Sequence, residues 1–245
     1  MSTLIRFYKS TVGKKIAMAL SGLILVGFVI SHMLGNLKMF GGLHPDSGRY
    51  AIDEYAEMLR EIASDFLGHE TFLWIARAGL LAALIVHVSS AIWLARHNAA
   101  AKPVSPNSQK FRSANAASRS MKYGGLFIFA FVIFHILHFT TGTVHTAGFV
   151  EGQVYANVWH GFQVWPVTAF YVAAMGFLSL HLFHGAWSMF QTLGVTTPGW
   201  NEGLKLAAKL ISIGLFVGFT AVPIAASLRL LPQPTSQIVA SAEAR

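Results

Sequence analysis

An all-α membrane protein, a single bundle of five transmembrane helices, is the fold class this sequence predicts, and three observations predict it. The chain has 245 residues, 54% of them apolar and 11% charged, and its mean hydropathy is +0.53. Soluble domains carry about 25% charged residues, so a bilayer is the expected solvent. Five apolar runs are each long enough to cross about 30 Å of hydrocarbon. The Lys and Arg behind the net charge of +8 fall in the connections between those runs, the topology signal of a membrane protein. They are not interleaved on an amphipathic surface, so nucleic acid is not expected as a partner. The length suits one integral domain, 1–245.

The N-terminal arm carries Arg6, Lys9, Lys14 and Lys15. It leads into a full-length span with no small-residue cleavage site after it, so no cleaved signal peptide is expected. The first span covers 16–37 and is rich in glycine (Gly22, Gly27, Gly35), which lets a backbone or a flat ligand approach closely. An acidic connection follows, with Asp53, Glu54, Glu57, Glu61, Asp65 and Glu70. Apolar and charged residues alternate over 48–66 at helical spacing, which predicts a short surface helix. The second span, 71–95, is interrupted only by Arg77. Residues 96–122 read as a solvated basic loop. The third span is 123–144. The fourth, 164–193, begins near Pro166, which a helix start tolerates. The fifth, 206–228, contains Pro223, expected to kink its end. The polar tail, 232–245, is expected to be disordered.

Twelve of the 18 Lys and Arg lie in the N-terminal arm, the 96–122 loop and the 194–209 turn. Those three segments share one side of a five-span protein. Positive charge marks the cytoplasmic side, so the N-terminus is expected inside and the chain in a cell's cytoplasmic membrane. The absence of cysteine excludes disulfides, iron–sulfur ligation and thiolate haem ligation by this chain. Any metal must be held by His, or less readily by Met or carboxylate.

Histidine then becomes the informative residue. An ionisable side chain at membrane depth is costly, and each one needs a partner. The stretch Phe177–Gly194 is apolar yet carries His181 and His184, and the first four spans all contain histidine. At 1.5 Å per residue, His32 lies about 25 Å beyond Lys15 and His135 about 20 Å beyond Lys122, both in the outer half. His87 lies about 13 Å before Arg96 and His181 roughly 15 Å before Gln191, both in the inner half. The four sort into two layers, one pair per layer, which is the arrangement of two stacked bis-histidine irons. Neutral imidazole suits iron, and each ligand's second ring N–H should donate to a carbonyl or hydroxyl. Gly185, Ala91 and Gly35, three or four residues after a histidine, would relieve a porphyrin edge.

Hydrogen bonding between helices is the plainer use of a single buried histidine. His138 and His184 each lie one turn from a proposed ligand. They are candidates for haem propionates, for a quinone head group or for polar contacts between helices. Arg77 could pair with an outer-layer propionate or snorkel to water. His44, His69, His97, His145 and His160 are expected at the surface, and Trp74, Trp93, Trp159, Trp165 and Trp187 at the membrane interfaces.

Over about 10–230 the chain resembles the cytochrome b subunit of succinate dehydrogenase and fumarate reductase, in its single-chain, five-helix, di-haem form. The resemblance is carried by His181-x-x-x-Gly185-x-Trp187-Ser188, extended to Phe190-Gln-Thr-Leu-Gly194. It also rests on Ser21-Gly22…Ser31-His32, on Phe134-His135-Ile-Leu-His138-Phe-Thr-Thr-Gly142, and on His87. It implies two b haems, one held by His32 and His135 distal to the soluble subunits and one by His87 and His181 proximal to them. It also implies an iron–sulfur subunit and an FAD-carrying flavoprotein docked on the cytoplasmic face. Electrons would pass between those clusters and a membrane quinone, menaquinone or ubiquinone. Some relatives place a glutamate on a membrane helix as a proton path. No carboxylate lies within spans two to five here, which argues against such a route.

Two other readings share some of these features. One is the cytochrome b of a hydrogenase or formate dehydrogenase, which lacks the fourth-span motif. The other is a membrane di-iron oxygenase, whose histidine boxes the His-x-x-His spacings at 135/138 and 181/184 resemble superficially. That site needs about eight histidines at one face, whereas these divide between two depths. A third reading, apart from these two, is a His-lined transporter, which would bind no iron.

Overall fold

The computed structural model describes residues 3–100 and 116–234. Most of the expected basic loop and tail (101–115 and 235–245) lies outside those bounds. The regular secondary structure of the described residues is all helical, apart from one isolated bridge between Leu43 and Tyr50. The helices are α1 (Thr3–Lys9), α2 (Thr11–Asn36, continued by a 3-10 turn Leu37–Gly41), α3 (Ala51–Glu61), α4 (Ser64–Leu67) and α5 (Thr71–Ala100), followed by α6 (Ala116–Phe139), α7 (Val154–Gly161), α8 (Trp165–Thr192) and α9 (Asn201–Ser227). Five of them, α2, α5, α6, α8 and α9, are long and apolar enough to cross a membrane.

The ends of these helices follow from local chemistry. Ser10 caps α2 by accepting from Gly13 N–H at 3.0 Å. A side chain at Gly13 would run into the Phe7 carbonyl, so the tight corner between α1 and α2 requires glycine there. Helix α5 runs on to Ala100 and α6 starts at Ala116, which narrows the expected 96–122 loop from both sides. Helix α6 stops at Phe139, five residues short of the expected boundary, because Gly142 takes φ +69° and Val144 N–H turns back to the Leu137 carbonyl at 3.2 Å. The expected 48–66 surface helix is split into α3 and α4 by Ala63, which sits at φ +59°. Helix α9 continues through buried Pro223 to Ser227.

Packing joins α2 to α5, α6 to α8 and α8 to α9, with α2 also touching α8 and α9. Ser179 on α8 donates to the Ser212 carbonyl on α9 at 2.9 Å, the type of interhelical bond that takes the place of water in lipid. An apolar cavity of about 320 Å³ opens between α5 and α6, lined by residues that include Leu81, Ile85, Val88, Ile92 and Phe129.

One end of the bundle is closed by a polar lid made of the 3-10 turn, α3, α7 and residues 229–232. Tyr50 and Tyr155 stack with ring centres 3.7 Å apart, and Tyr155 O–H donates to the Pro232 carbonyl at 2.8 Å. Trp159 Nε1–H donates to the Leu231 carbonyl at 3.2 Å. This places Trp159 in the buried lid core and not in the interfacial belt expected for it; Trp74 and Trp165 are exposed. Asp53 is buried and accepts Tyr155 N–H at the start of α7 at 2.9 Å. Burial pushes the Asp53 carboxyl above its usual value, and the α7 amides at Tyr155 and Val154 partly offset this. Burial, with the nearby Tyr50 and Asp53, also pushes the Tyr155 phenol up to about 12.

Asp53→Ala removes the acceptor at the α7 N-terminus and should cost about 1–2 kcal/mol in thermal unfolding of the detergent-solubilised protein. Asp53→Asn keeps an acceptor and should cost clearly less. Because the folded pKa of Asp53 is raised, the folded lid binds a proton more readily than the unfolded chain. Its stability therefore falls as pH rises from the ordinary carboxylate range through the raised value. Asp53→Asn should flatten that slope.

Candidate functional site

The histidines of the first four membrane helices meet in two pairs. His32 on α2 and His135 on α6 have ring centres 5.8 Å apart at an interplanar angle of 77°. His87 on α5 and His181 on α8 are 6.2 Å apart at 64°. Two imidazoles that share one metal at about 2.0–2.1 Å each have ring centres roughly 6 Å apart. Both separations match that requirement. Neither pair comes from the most closely packed helices: α2 packs mainly on α5, and α6 on α8. The rings therefore face each other across the bundle interior.

Each layer is built by more than its two histidines. In the His87 layer, a Cβ at Gly22 of α2 would lie 3.3 Å from the His87 ring, and one at Gly125 of α6 would lie 3.6 Å from the His181 ring. All four helices thus contribute at this depth, two with imidazoles and two with glycines that leave room beside them. Gly125 was not singled out in the sequence, although the Gly124-Gly125 pair is a visible signal. His87 Nδ1–H donates to the Met18 carbonyl at 3.2 Å. A carbonyl can only accept, so the proton is on Nδ1 and Nε2 keeps its lone pair. His181 Nδ1 is buried without a hydrogen-bond partner.

In the His32 layer, His32 stacks on Phe28 and touches Phe219 of α9. His135 Nδ1 lies 3.3 Å from the Tyr171 hydroxyl, and His138 Nδ1 lies 3.0 Å from the same hydroxyl. Tyr171 is the residue the sequence reading missed; a tyrosine in an apolar span was the available signal. His138 is fully buried and its Nε2 has no partner. A buried polar atom without a partner costs about 1–3 kcal/mol.

The remaining expectations divide. Gly35 does not open space beside His32, because Tyr55 of α3 occupies the position a Cβ would take. The lid helix, which the sequence did not set against α2, uses that glycine for its own packing. Gly185 faces open space. Arg77 is exposed and lies over the Trp74 ring at 4.7 Å. His184 is half-buried, beside Phe183. His145 is not a solvated surface residue: it stacks on His138 at 5.1 Å and donates from Nε2 to the Asn157 carbonyl at 2.9 Å. His44 pairs with Glu54 at 2.6 Å; Ser47 and His44 hold the Glu54 carboxyl below the usual range. Glu70 pairs with Arg60 at 3.1 Å, while Glu61 and Asp65 are exposed.

Among the described residues, no three His, Cys, Asp or Glu side chains gather where they could hold a bare metal ion. The donor set is two imidazoles per layer. It suits a planar cofactor that brings four equatorial ligands of its own, and it lacks the clustered histidines a di-iron centre needs.

Taken together, fold and site define a class: an all-helical protein with five helices apolar enough to span a membrane and two facing imidazole pairs at different depths. No protein-family model, curated protein or solved structure matches the chain.

The chain contains no cysteine, so introduced thiols report cleanly. His32→Cys with His135→Cys, and His87→Cys with His181→Cys, should each crosslink with a short bifunctional thiol reagent. His32→Cys with His181→Cys should not, as read by mobility after proteolysis between the two positions.

Proposed function

We propose that this chain is the membrane-anchor, di-haem cytochrome b subunit of a succinate:quinone oxidoreductase. The observation that carries the reading is the meeting of four imidazoles, one from each of α2, α5, α6 and α8, as two pairs at metal-sharing separations. The fourth-span motif around His181, Gly185 and Trp187 directs that general reading to this family. In it, His32 and His135 would hold the outer haem and His87 and His181 the inner one. Haem b, when bound, supplies a one-electron iron couple at each layer.

The protein's own residues do the rest. Imidazoles without a charged partner in lipid are held neutral, the form that ligates iron. Met18 fixes the His87 tautomer, and Gly22 and Gly125 keep the space beside the inner pair clear. The lid of α3 and α7 closes the end of the bundle beyond His32 and His135. On this reading the basic arm and inner loops face the cytoplasm, where an iron–sulfur subunit and a flavoprotein with FAD dock. The chain then passes electrons between those clusters and a membrane quinone and does no dicarboxylate chemistry itself.

The complex purified in mild detergent should show a reduced-minus-oxidised b-type spectrum and should copurify with a flavoprotein and an iron–sulfur protein. Recovery of a hydrogenase in their place, or the lack of a b band, would sink the proposal. His32→Ala and His135→Ala should lose the same haem, and His87→Ala and His181→Ala the other; loss of different haems within a pair would break the assignment. Gly22→Val places methyl groups against the His87 ring and should diminish the inner haem's spectral component while sparing the outer one.

A further inference from the structure

The Tyr171 hydroxyl is shared by two histidines, and proton counting decides how. The count rests on the haem reading above in one respect: His135 is taken as an iron ligand. His135 presents Nδ1 to the hydroxyl, so Nε2 is the nitrogen left for a metal. Ligation needs the Nε2 lone pair, which places the His135 proton on Nδ1, where it donates to the Tyr171 oxygen. A phenol has one proton to give. The other neighbour is His138 Nδ1 at 3.0 Å, so Tyr171 O–H donates there and the His138 proton sits on Nε2. The opposite direction would put the His135 proton on Nε2 and remove its lone pair.

The Tyr171 ring that carries the hydroxyl is packed among aromatic side chains. Tyr171 is 6% exposed, and its ring makes edge contacts with Phe131 at 4.9 Å, Phe134 at 6.1 Å, Phe139 at 5.8 Å and Phe162 at 4.9 Å. His138 packs in turn against both Phe139 at 4.0 Å and His145 at 5.1 Å. The inner layer is built differently, since the second nitrogen of His87 meets only a backbone carbonyl.

We infer that Tyr171 is a positioning residue for His135 and that His138 is the next link of the same hydrogen-bond chain, not a ligand. Bonds in such a chain polarise one another. A ligand imidazole whose second N–H is accepted is fixed in plane and made more basic. Greater basicity favours the ferric form, so this chain lowers the potential of the outer layer and distinguishes it from the inner one.

The test uses the whole complex. Tyr171→Phe keeps the ring and removes the acceptor. In a redox titration followed by EPR, the low-spin component that disappears in His135→Ala should change its g values and move to higher potential. The other component should not move. His138→Leu leaves the Tyr171 oxygen available to His135 but removes the acceptor of its proton, and should shift the same component in the same direction by less. Two b components that stay at wild-type values in both variants overturn the inference and leave the haem reading standing, whereas a wild-type complex without b haem overturns the haem reading. If Tyr171→Phe does not accumulate, His138→Leu and the 15N spectrum of histidine-labelled wild-type complex in the reduced, diamagnetic state decide. His135 protonated on Nδ1 and His138 on Nε2 support the chain; the reverse placement overturns it.

Discussion

The structure depends on one constraint: imidazoles inside an apolar bundle must find partners there, because the bilayer supplies none. Four helices turn one histidine each toward the same interior, in two facing pairs separated along the bundle. The rest of the packing follows. Helices that do not share a pair, α2 with α5 and α6 with α8, come close. Those that do share one, α2 with α6 and α5 with α8, are not among the closely packed pairs. A Cβ at Gly22 would already crowd the His87 ring, and one at Gly125 would just reach contact with the His181 ring, so larger side chains at either position would press on an imidazole.

The lid is the second consequence. A bundle with polar groups near one end needs that end closed. Here α3 and α7 close it with stacked tyrosines, a buried carboxylate and two side-chain bonds to the carbonyls of Leu231 and Pro232 past the end of α9. The lid also draws His145 inward onto His138 and sets Tyr55 against Gly35. Residues that read as solvated connection are therefore part of the wall around the His32–His135 pair. Burial, with His145 nearby, lowers the basicity of His160 in the same wall.

The two layers differ in how their histidines are held. Backbone serves His87, through a carbonyl on the neighbouring helix. A side-chain network serves His135, through a tyrosine whose own position is set by four phenylalanines. A backbone carbonyl is present at every position of a helix, whereas a hydroxyl at the right depth depends on a single residue. The His32–His135 layer is thus the more specialised of the two.

What the sequence determined by itself was the helical class, the five apolar segments and the pairing of His32 with His135 and His87 with His181. Those features depend on composition, on length and on a fixed rise per residue, all local properties of the chain. Only the tertiary structure decided which glycine faces which ring, that Gly35 receives Tyr55, that Trp159 is buried, and that Tyr171 joins His135 to His138. Each of these depends on the rotation of one helix about its axis and on the placement of the lid. Uniformly apolar helices such as α5 and α8 carry no periodic signal to reveal that rotation. In lipid every face of such a helix is acceptable to the solvent, so it is contact between helices that sets the angle.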